Sequence, residues 1–175
     1  MCTLEQFKID LKDQSADVAR YEFSLDDSYF QAIDAPAISS GRLQTVLEVS
    51  KSGACYELRF HTDGCVRIPC DLCLDDYDQS VCTDNSLTVK LADSFSEEGD
   101  MLTIPESEGV VDVSWYIYEF IALSLPVRRV HEPGKCNPAM IDVLHEHDAA
   151  RSSVEPTSDA IDPRWEKLKN LKLQD

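Results

Sequence analysis

Cys70 and Cys73 are the residues of this chain whose types and spacing most clearly predict chemistry. A C-x-x-C turn directs two thiolates at one tetrahedral centre, and a structural zinc site needs two further ligands to close. His131 and Cys136 lie downstream on either side of a Pro-Gly dipeptide, which favours a turn that folds them back together. The sequence therefore predicts a structural zinc site formed by Cys70, Cys73, His131 and Cys136, although the second pair follows neither standard ligand spacing.

The same cysteine pair has two other interpretations. A thiol oxidoreductase usually carries its pair at a helix N-terminus within a βαβ pattern, where the helix dipole lowers the pKa of the first thiol. Here three acidic residues follow the pair within residues 74–78, and nearby negative charges raise the pKa of a thiol, which disfavours a nucleophile. The third interpretation is that the pair only marks a turn.

The other cysteines, Cys2, Cys55, Cys65 and Cys82, fall in or beside strand-like segments. A total of seven with irregular spacing does not predict a disulfide framework. We expect these four to be free thiols packed as small apolar side chains.

No motif in the chain indicates an enzyme. It contains no glycine-rich phosphate loop, no G-x-S-x-G motif and no H-E-x-x-H motif. Scattered carboxylates in so acidic a chain do not identify a catalytic pair. We therefore predict a protein that is not an enzyme and has no small-molecule substrate.

The length of 175 residues is enough for one domain with a buried core and short appendages. No apolar run approaches the roughly 20 residues that a membrane-spanning helix needs. The N-terminal residues lack the basic start and apolar stretch of a secretory signal. We expect a cytoplasmic protein that does not enter a membrane.

The net charge limits the class of partner. The chain has 33 acidic and 16 basic residues, which gives a formal net charge of -17. Nucleic-acid binding depends on Lys and Arg that neutralise phosphates, so a field this negative would repel bare RNA or DNA. Contact with RNA would therefore require a local basic patch or a basic protein partner. An acidic surface that only keeps the protein in solution is the simpler alternative.

The first half of the chain shows the period of β-strands. Residues 4–11 predict a first strand, and Asp26 or Asp27 is placed to cap a short helix. Two alternating strands follow, joined by a turn at Ser52-Gly53. A second tight bend is predicted at Asp63-Gly64, after which the antiparallel strands continue.

The second half changes period. Residues 94–111 are acidic and contain Gly and Pro, which predicts a loop with at most one short edge strand. Apolar residues then recur at helical spacing from about Val113 to Leu125, where Pro126 ends the helix. The predicted fold is α+β: an antiparallel β meander or partly open barrel covered by one main helix, with a short C-terminal helix.

The C-terminal segment has a helical pattern of its own. Asp162 suits an N-cap and Pro163 the first helical position, and Trp165, Leu168 and Leu171 follow at three-residue steps among lysines. A helix this short is marginal alone, so its apolar side should dock on its own domain or on a partner.

The predicted domain organisation has three parts. Residues 1–147 form a single α+β domain, residues 148–160 a flexible linker, and residues 161–175 a C-terminal amphipathic helix. The linker prediction depends on small, polar and Pro-containing composition.

Several features together resemble the bacterial and plastid family of large ribosomal RNA subunit accumulation proteins, long described as a domain of unknown function. They are Gly64 and Val66 ahead of "CDLCL", then "LTVKL", then "VDVSWYIYEFIALSLPVRRVH" with a cysteine beyond it, and finally "DPRWEKLKNL". Their order and spacing carry the resemblance, which covers most of the chain.

The resemblance implies a non-enzymatic role in the synthesis, processing or stability of the large-subunit (23S) ribosomal RNA. Some relatives carry a second cysteine pair after the Leu-Pro, where this chain has only His131 and Cys136. Its charge favours ribosomal or ribosome-assembly proteins as direct partners, with rRNA contacted indirectly. A zinc-stabilised interaction module unrelated to ribosomes is the alternative.

A local basic patch is also predicted from residues after the Leu-Pro and in the C-terminal helix, unless these are ordinary surface cations. The candidate partner-binding residues are Arg128, Arg129, Arg164, Trp165, Lys167, Leu168, Lys169 and Lys172.

Overall fold

The computed structural model describes residues 4–12, 18–38 and 40–147. The chain separates into two compact units, residues 1–137 and residues 138–175. Among the described residues, the first unit contains every strand and two helices, and the second contains one helix. The predicted linker and C-terminal helix, with their candidate binding residues, lie outside the described residues.

The described part of the chain has an α+β arrangement, in which the strands precede the two longer helices. A 3₁₀ turn precedes the first strand, and the helices are α1 (Asp27–Ala32), α2 (Ser114–Ser124) and α3 (Pro138–His147). The strands are β1 (Lys8–Asp10), β2 (Val18–Leu25), β3 (Ser40–Ser52), β4 (Cys55–Pro69), β5 (Asp76–Ala92), β6 (Ser96–Glu98), β7 (Met101–Pro105) and β8 (Val110–Asp112).

A mixed six-stranded sheet dominates the first unit, with strand order β2-β3-β4-β5-β7-β6. Strands β2 to β5 pair in sequence and antiparallel, but β7 pairs with the end of β5 in parallel. Strands β1 and β8 form a separate antiparallel pair. Within the described residues the large sheet does not close on itself, and the parallel pair was not predicted.

Gly64 corrects one prediction, because no bend occurs at Asp63-Gly64. Strand β4 continues through this point, with Gly64 paired to Leu43 on one side and to Val81 on the other. Its φ of 149° suits glycine, and a Cβ there would lie 2.3 Å from the carbonyl oxygen of Arg42. The glycine permits close strand approach inside the sheet, and it does not mark a turn.

The segment predicted as a loop with one edge strand also differs. Residues 94–111 contain β6, β7 and most of β8, so the prediction of at most one strand was wrong. The short length and charge of these strands hid their pattern, because only Leu102 and Ile104 in β7 and Val111 in β8 are buried.

An aromatic cluster fills one region of the core. The side chain of Asp26 accepts hydrogen bonds from the first backbone N–H groups of α1, which confirms a predicted N-cap. The helix thereby turns Tyr29 and Phe30 inward, where they pack with Phe7 and Phe23. Ring centroids within this cluster are 4.9–5.2 Å apart, in the range of favourable aromatic contacts.

Helix α2 follows its prediction closely. It spans Ser114–Ser124, with Val113 and Leu125 as its caps. Ile117 and Ile121 are buried on one side, and the Phe120 ring lies 5.2 Å from that of Phe60 in β4. The helix therefore packs on the sheet and directs the following residues towards the C-x-x-C turn. No helix in the described part of the chain is long and apolar enough to cross a membrane.

Candidate metal centre

The C-x-x-C pair lies in the short connection between β4 and β5. The backbone N–H of Cys70 donates to the carbonyl of Asp75, and the N–H of Leu74 donates back to the carbonyl of Cys70, both at 3.0 Å. Leu74 adopts a left-handed φ of 63°, which closes the turn. This tight turn leaves Cys70 and Cys73 both about 1% exposed.

Two carboxylates attach the second half of the site to this turn. The N–H of Asp71 donates to the carbonyl of Arg129 at 2.6 Å, and the N–H of Arg129 donates to a carboxylate oxygen of Asp71 at 2.7 Å. Further along, the side chain of Asn137 donates to Asp75 at 3.1 Å. The loop between α2 and α3 is therefore held at both of its ends, and its middle lies across the cysteines.

Four potential metal ligands converge there. The ligand atoms of Cys70, Cys73, His131 and Cys136 all lie within 4.8 Å of one another. Cys73 Sγ is 3.3 Å from His131 Nδ1, Cys136 Sγ is 3.8 Å from the same nitrogen, and the Cys70 and Cys136 sulfurs are 3.9 Å apart. Tetrahedral zinc bonds of about 2.3 Å to sulfur and 2.0 Å to nitrogen imply ligand separations of about 3.5–3.8 Å. The donor set fits a zinc ion.

Hydrogen bonds to Cys70 lower the pKa of its thiol and so favour the thiolate that binds a metal. Burial, the largest single influence, raises the pKa of Cys70, but hydrogen bonds from the backbone of Cys73 and Leu72 oppose it. With further hydrogen bonds from His131, the pKa of Cys70 falls to about 6. Burial raises the pKa of Cys136 to about 11, helped by its contacts with the sulfurs of Cys70 and Cys73.

The expected effect of the acidic residues on thiol pKa is thus wrong for Cys70. Asp75, Asp76 and Asp78 are exposed, so water and salt screen their charges, whereas the hydrogen bonds to the sulfur are direct. The lowered pKa of Cys70 supports the metal-binding prediction, because zinc binds thiolates rather than thiols.

Comparison with known proteins gives the family. The model of the large ribosomal RNA subunit accumulation protein YceD matches residues 58–172, about two thirds of the chain. The chain belongs to this family. The match includes the C-x-x-C turn, α2 and the loop with His131 and Cys136. A comparison with curated proteins and one with solved structures each found no match.

In this YceD-family chain the four candidate ligands make a closed set. Catalytic zinc sites keep one position for water or substrate, whereas structural sites take all four ligands from the protein. Cys70 and Cys73 are buried and His131 and Cys136 are partly buried, so the group can hold a metal ion within the fold. The arrangement suits a structural metal better than a reactive one.

Two contributors to the site were missed by sequence reasoning. The ring of Tyr77 lies 5.1 Å from that of His131, and it covers one side of the imidazole. Asp71 anchors the loop that carries His131. Its position between the two cysteines was the available signal, whereas nothing local linked Tyr77 to a histidine 54 residues away.

The predicted basic patch is only partly described. Arg128 is exposed, but Arg129 is one-third exposed and its guanidinium lies 3.7 Å from the carboxylate of Asp71, so it serves the site's own structure. The other candidate partner-binding residues lie outside the described residues: Arg164, Trp165, Lys167, Leu168, Lys169 and Lys172.

The remaining described cysteines differ in their exposure to solvent. Cys55 and Cys65 are partly buried in β4, as expected for packed thiols. Cys82 in β5 is exposed, so its predicted packing was wrong. It follows the outward alternation of the strand, on the face where Asp84 is also exposed.

Proposed function

We propose that this protein is a non-enzymatic accessory factor in the synthesis, processing or stability of large-subunit (23S-type) ribosomal RNA. The observation that carries the proposal is the family match over residues 58–172. Such a role would be performed in the cytoplasm, where ribosomal subunits assemble.

The proposed mode of action is binding to basic ribosomal or ribosome-assembly proteins, with rRNA affected indirectly. A formal net charge of -17 opposes approach to phosphate and steers cationic polypeptides inward. The described ion pair of Arg129 with Asp71 supports this proposal, since it removes one cation from the basic patch that direct RNA binding would need.

The proposed cofactor is a structural zinc ion held by Cys70, Cys73, His131 and Cys136. It would fix the loop after α2, in which no residue from 126 to 137 is buried, to the turn between β4 and β5. Its function would be to keep the end of α2 and its neighbouring surface in one conformation.

A deletion strain tests the cellular role. We expect reduced mature large-subunit rRNA, or accumulated precursor, and an abnormal subunit profile in a sucrose gradient. Normal rRNA levels together with a normal profile would contradict the proposal.

An affinity purification at two salt concentrations separates the two modes of contact. Recovery of ribosomal or assembly proteins, with RNA lost after nuclease treatment but proteins retained, is expected. Tight binding of the purified protein to protein-free rRNA at physiological salt would contradict indirect action.

The C-terminal segment is proposed as a second contact, with residues 148–160 as a linker. Trp165→Ala tests it: lost partner binding with an unchanged melting temperature would support recognition by this segment. A loss of a few kcal/mol in stability would instead assign Trp165 to the core. Preferential protease cleavage within residues 152–158 is the expected result for the linker.

A zinc-stabilised interaction module unrelated to ribosomes is the second candidate, favoured by the convergence of the four ligands. Elemental analysis of purified protein is expected to give one zinc per chain under either candidate. Zinc at full stoichiometry with normal rRNA in the deletion strain would favour this second function, and substoichiometric zinc would reject it.

A further inference from the structure

The outward side of α2 carries large apolar residues that the fold does not use. Trp115 is 50% exposed, Leu123 is 75% exposed, and Val127 just beyond the helix is fully exposed. Residues 115, 119 and 123 follow one another at i, i+4 spacing, so Trp115, Glu119 and Leu123 share one side of the helix. These three residues and Val127 are called the α2 outer face below.

A helix that packs on a sheet normally exposes polar residues on its outer side. Helix α2 buries Ile117 and Ile121 inward and yet presents Trp115 and Leu123 outward, so apolar residues occupy both sides. Large apolar residues grouped on a surface are typical of interaction sites. The pattern therefore indicates a contact beyond the described residues of this chain.

The side chain of Trp115 is held in place by a buried neighbour. Its ring centroid lies 5.2 Å from that of Tyr118, which is 4% exposed and fixed within the core. The hydroxyl of Tyr118 accepts a hydrogen bond from the backbone N–H of Ala37 at 3.3 Å. A rigidly supported tryptophan loses little conformational entropy on binding, and tryptophan is enriched among residues that dominate interface energies.

The surroundings of the α2 outer face are acidic near its start. Glu119 lies between the two large apolar residues, and Glu97 in β6 hydrogen-bonds the hydroxyl of Tyr116. Burial, followed by the charges of Glu97 and Glu119, raises the pKa of Tyr116 to about 12. Arg128 adds positive charge at the other end, beside Val127.

Charge distinguishes a second copy of this chain from a basic partner protein as the occupant. A second copy of this chain would bring another net charge of -17 against the same acidic surface, which opposes association. A cationic segment is attracted by the whole protein and by Glu119 within the contact itself. The residues from Trp115 to Leu123 extend over about 12 Å of helix axis, which matches roughly two turns of a partner helix.

We propose that the α2 outer face binds a basic amphipathic segment of a ribosomal or assembly protein. Large apolar side chains of the partner would contact Trp115, Leu123 and Val127, and its Lys or Arg side chains would lie beside Glu119. This inference rests on the proposed function for the identity of the partner. The docking surface itself follows from exposure, spacing and charge.

The direct test titrates the full-length protein with a labelled 18-residue helical peptide that has leucines on one face and lysines elsewhere. Trp115→Gln and Leu123→Gln are each expected to weaken binding about tenfold or more. Val18→Gln, which changes a residue that is 57% exposed on β2, is the matched control and should bind normally. Glu119→Lys should also weaken binding, and the loss should shrink at high salt.

Two further peptides define the outcome. A peptide of the same composition with scrambled leucines, and one with glutamate in place of lysine, should both bind weakly. Equal binding of the scrambled peptide, or unchanged binding by both Trp115→Gln and Leu123→Gln, would overturn the proposal. If Trp115→Gln lowers the melting temperature, the uncharged replacement Val127→Gln, at a fully exposed position outside the helix, is tested in its place.

Sedimentation and complementation complete the test. A wild-type dimer that Leu123→Gln dissociates would assign the face to a second copy and reject the proposal. In the deletion strain, failure of the Leu123→Gln protein to restore rRNA levels would support it. Full restoration by this variant would reject the α2 outer face while leaving the proposed function intact, whereas normal rRNA in the deletion strain itself would reject the function.

Discussion

The aromatic cluster around α1 and the cysteine cluster after β4 differ in the interactions that stabilise them. Phe7, Phe23, Tyr29 and Phe30 are each at most 5% exposed and contact one another through their rings. Their stabilisation comes from apolar area removed from water, which the chain supplies by itself. This region needs no ligand.

The cysteine cluster depends on polar atoms. Backbone hydrogen bonds and the carboxylates of Asp71 and Asp75 hold its two chain segments together, and no residue of the loop from 126 to 137 is buried. Sulfur and imidazole nitrogen atoms of the cluster lie 3.3–3.9 Å apart. Binding of a cation among them would add to the free energy of folding of this region. One part of the molecule is thus stabilised by burial alone, whereas the other presents four potential ligands that a bound cation would complete.

Phe30→Ala should have the largest effect on the aromatic side of this comparison. Removing a ring that is 2% exposed leaves a cavity, so the free energy of unfolding should fall by about 3–5 kcal/mol. Urea denaturation measures the loss, which should be equal with and without a zinc chelator. Phe95→Ala, at a ring 63% exposed, is the control and should change stability by less than about 0.5 kcal/mol. A chelator-dependent loss for Phe30→Ala would show that the two regions are coupled.

Gly64→Ala tests the sheet between the two regions. The new Cβ would lie 2.3 Å from the carbonyl oxygen of Arg42 and 2.6 Å from the Cα of Leu43, so the strands must separate. Overpacking and an unfavourable φ together should cost about 2–4 kcal/mol in urea denaturation. Gly53→Ala is the control for an ordinary left-handed φ, because Gly53 has a φ of 63° and open space around it, and should cost about 1 kcal/mol. Equal losses would assign the whole effect to φ and remove the close-approach explanation.

Thr45→Val tests a polar pair inside the apolar region. The hydroxyls of Thr45 and Thr62 are 2.8 Å apart, and both residues are at most 2% exposed. Removing one hydroxyl leaves the other unsatisfied, which should cost about 1–3 kcal/mol, whereas replacing both with Val should be close to neutral. A double-mutant cycle measures the coupling. Additive losses would mean that the hydroxyls act separately.

The sequence predicted local features better than features that depend on contacts between distant residues. Cys70, Cys73 and the approximate bounds of α2 were predictable because C-x-x-C spacing and helical period are local signals, and the Pro-Gly dipeptide indicated the convergence of His131 and Cys136 less directly. The positive φ of Gly64 has a cause across the sheet, at Arg42 and Leu43, so local reasoning interpreted the glycine as a turn. The parallel pairing of β5 with β7 likewise depends on long-range contacts that no periodicity encodes.

Removal of the proposed zinc ion should affect the buried core least of all. Chelation is expected to speed hydrogen exchange at the backbone N–H groups of Asp71 and Arg129, which hold the loop to the cysteine turn. Exchange at Leu47 and Leu58, both fully buried in the sheet, should stay within about twofold of its original rate, because opening near the cysteines does not expose them. Mass spectrometry of exchanged peptides measures both regions in one sample.

Cys73→Ser should reproduce the chelator's effect without any chelator, and Cys82→Ser, at an exposed thiol outside the cluster, should leave exchange unchanged. Global unfolding on chelation would contradict the proposal that burial alone stabilises the sheet and aromatic cluster, and that zinc stabilises only the cysteine cluster. The metal would then stabilise the sheet itself, as it does in domains too small to bury a core. Because β4 and β5 pair continuously from Cys55 with Lys90 to Pro69 with Asp76, the sheet should persist when the connection beyond it opens.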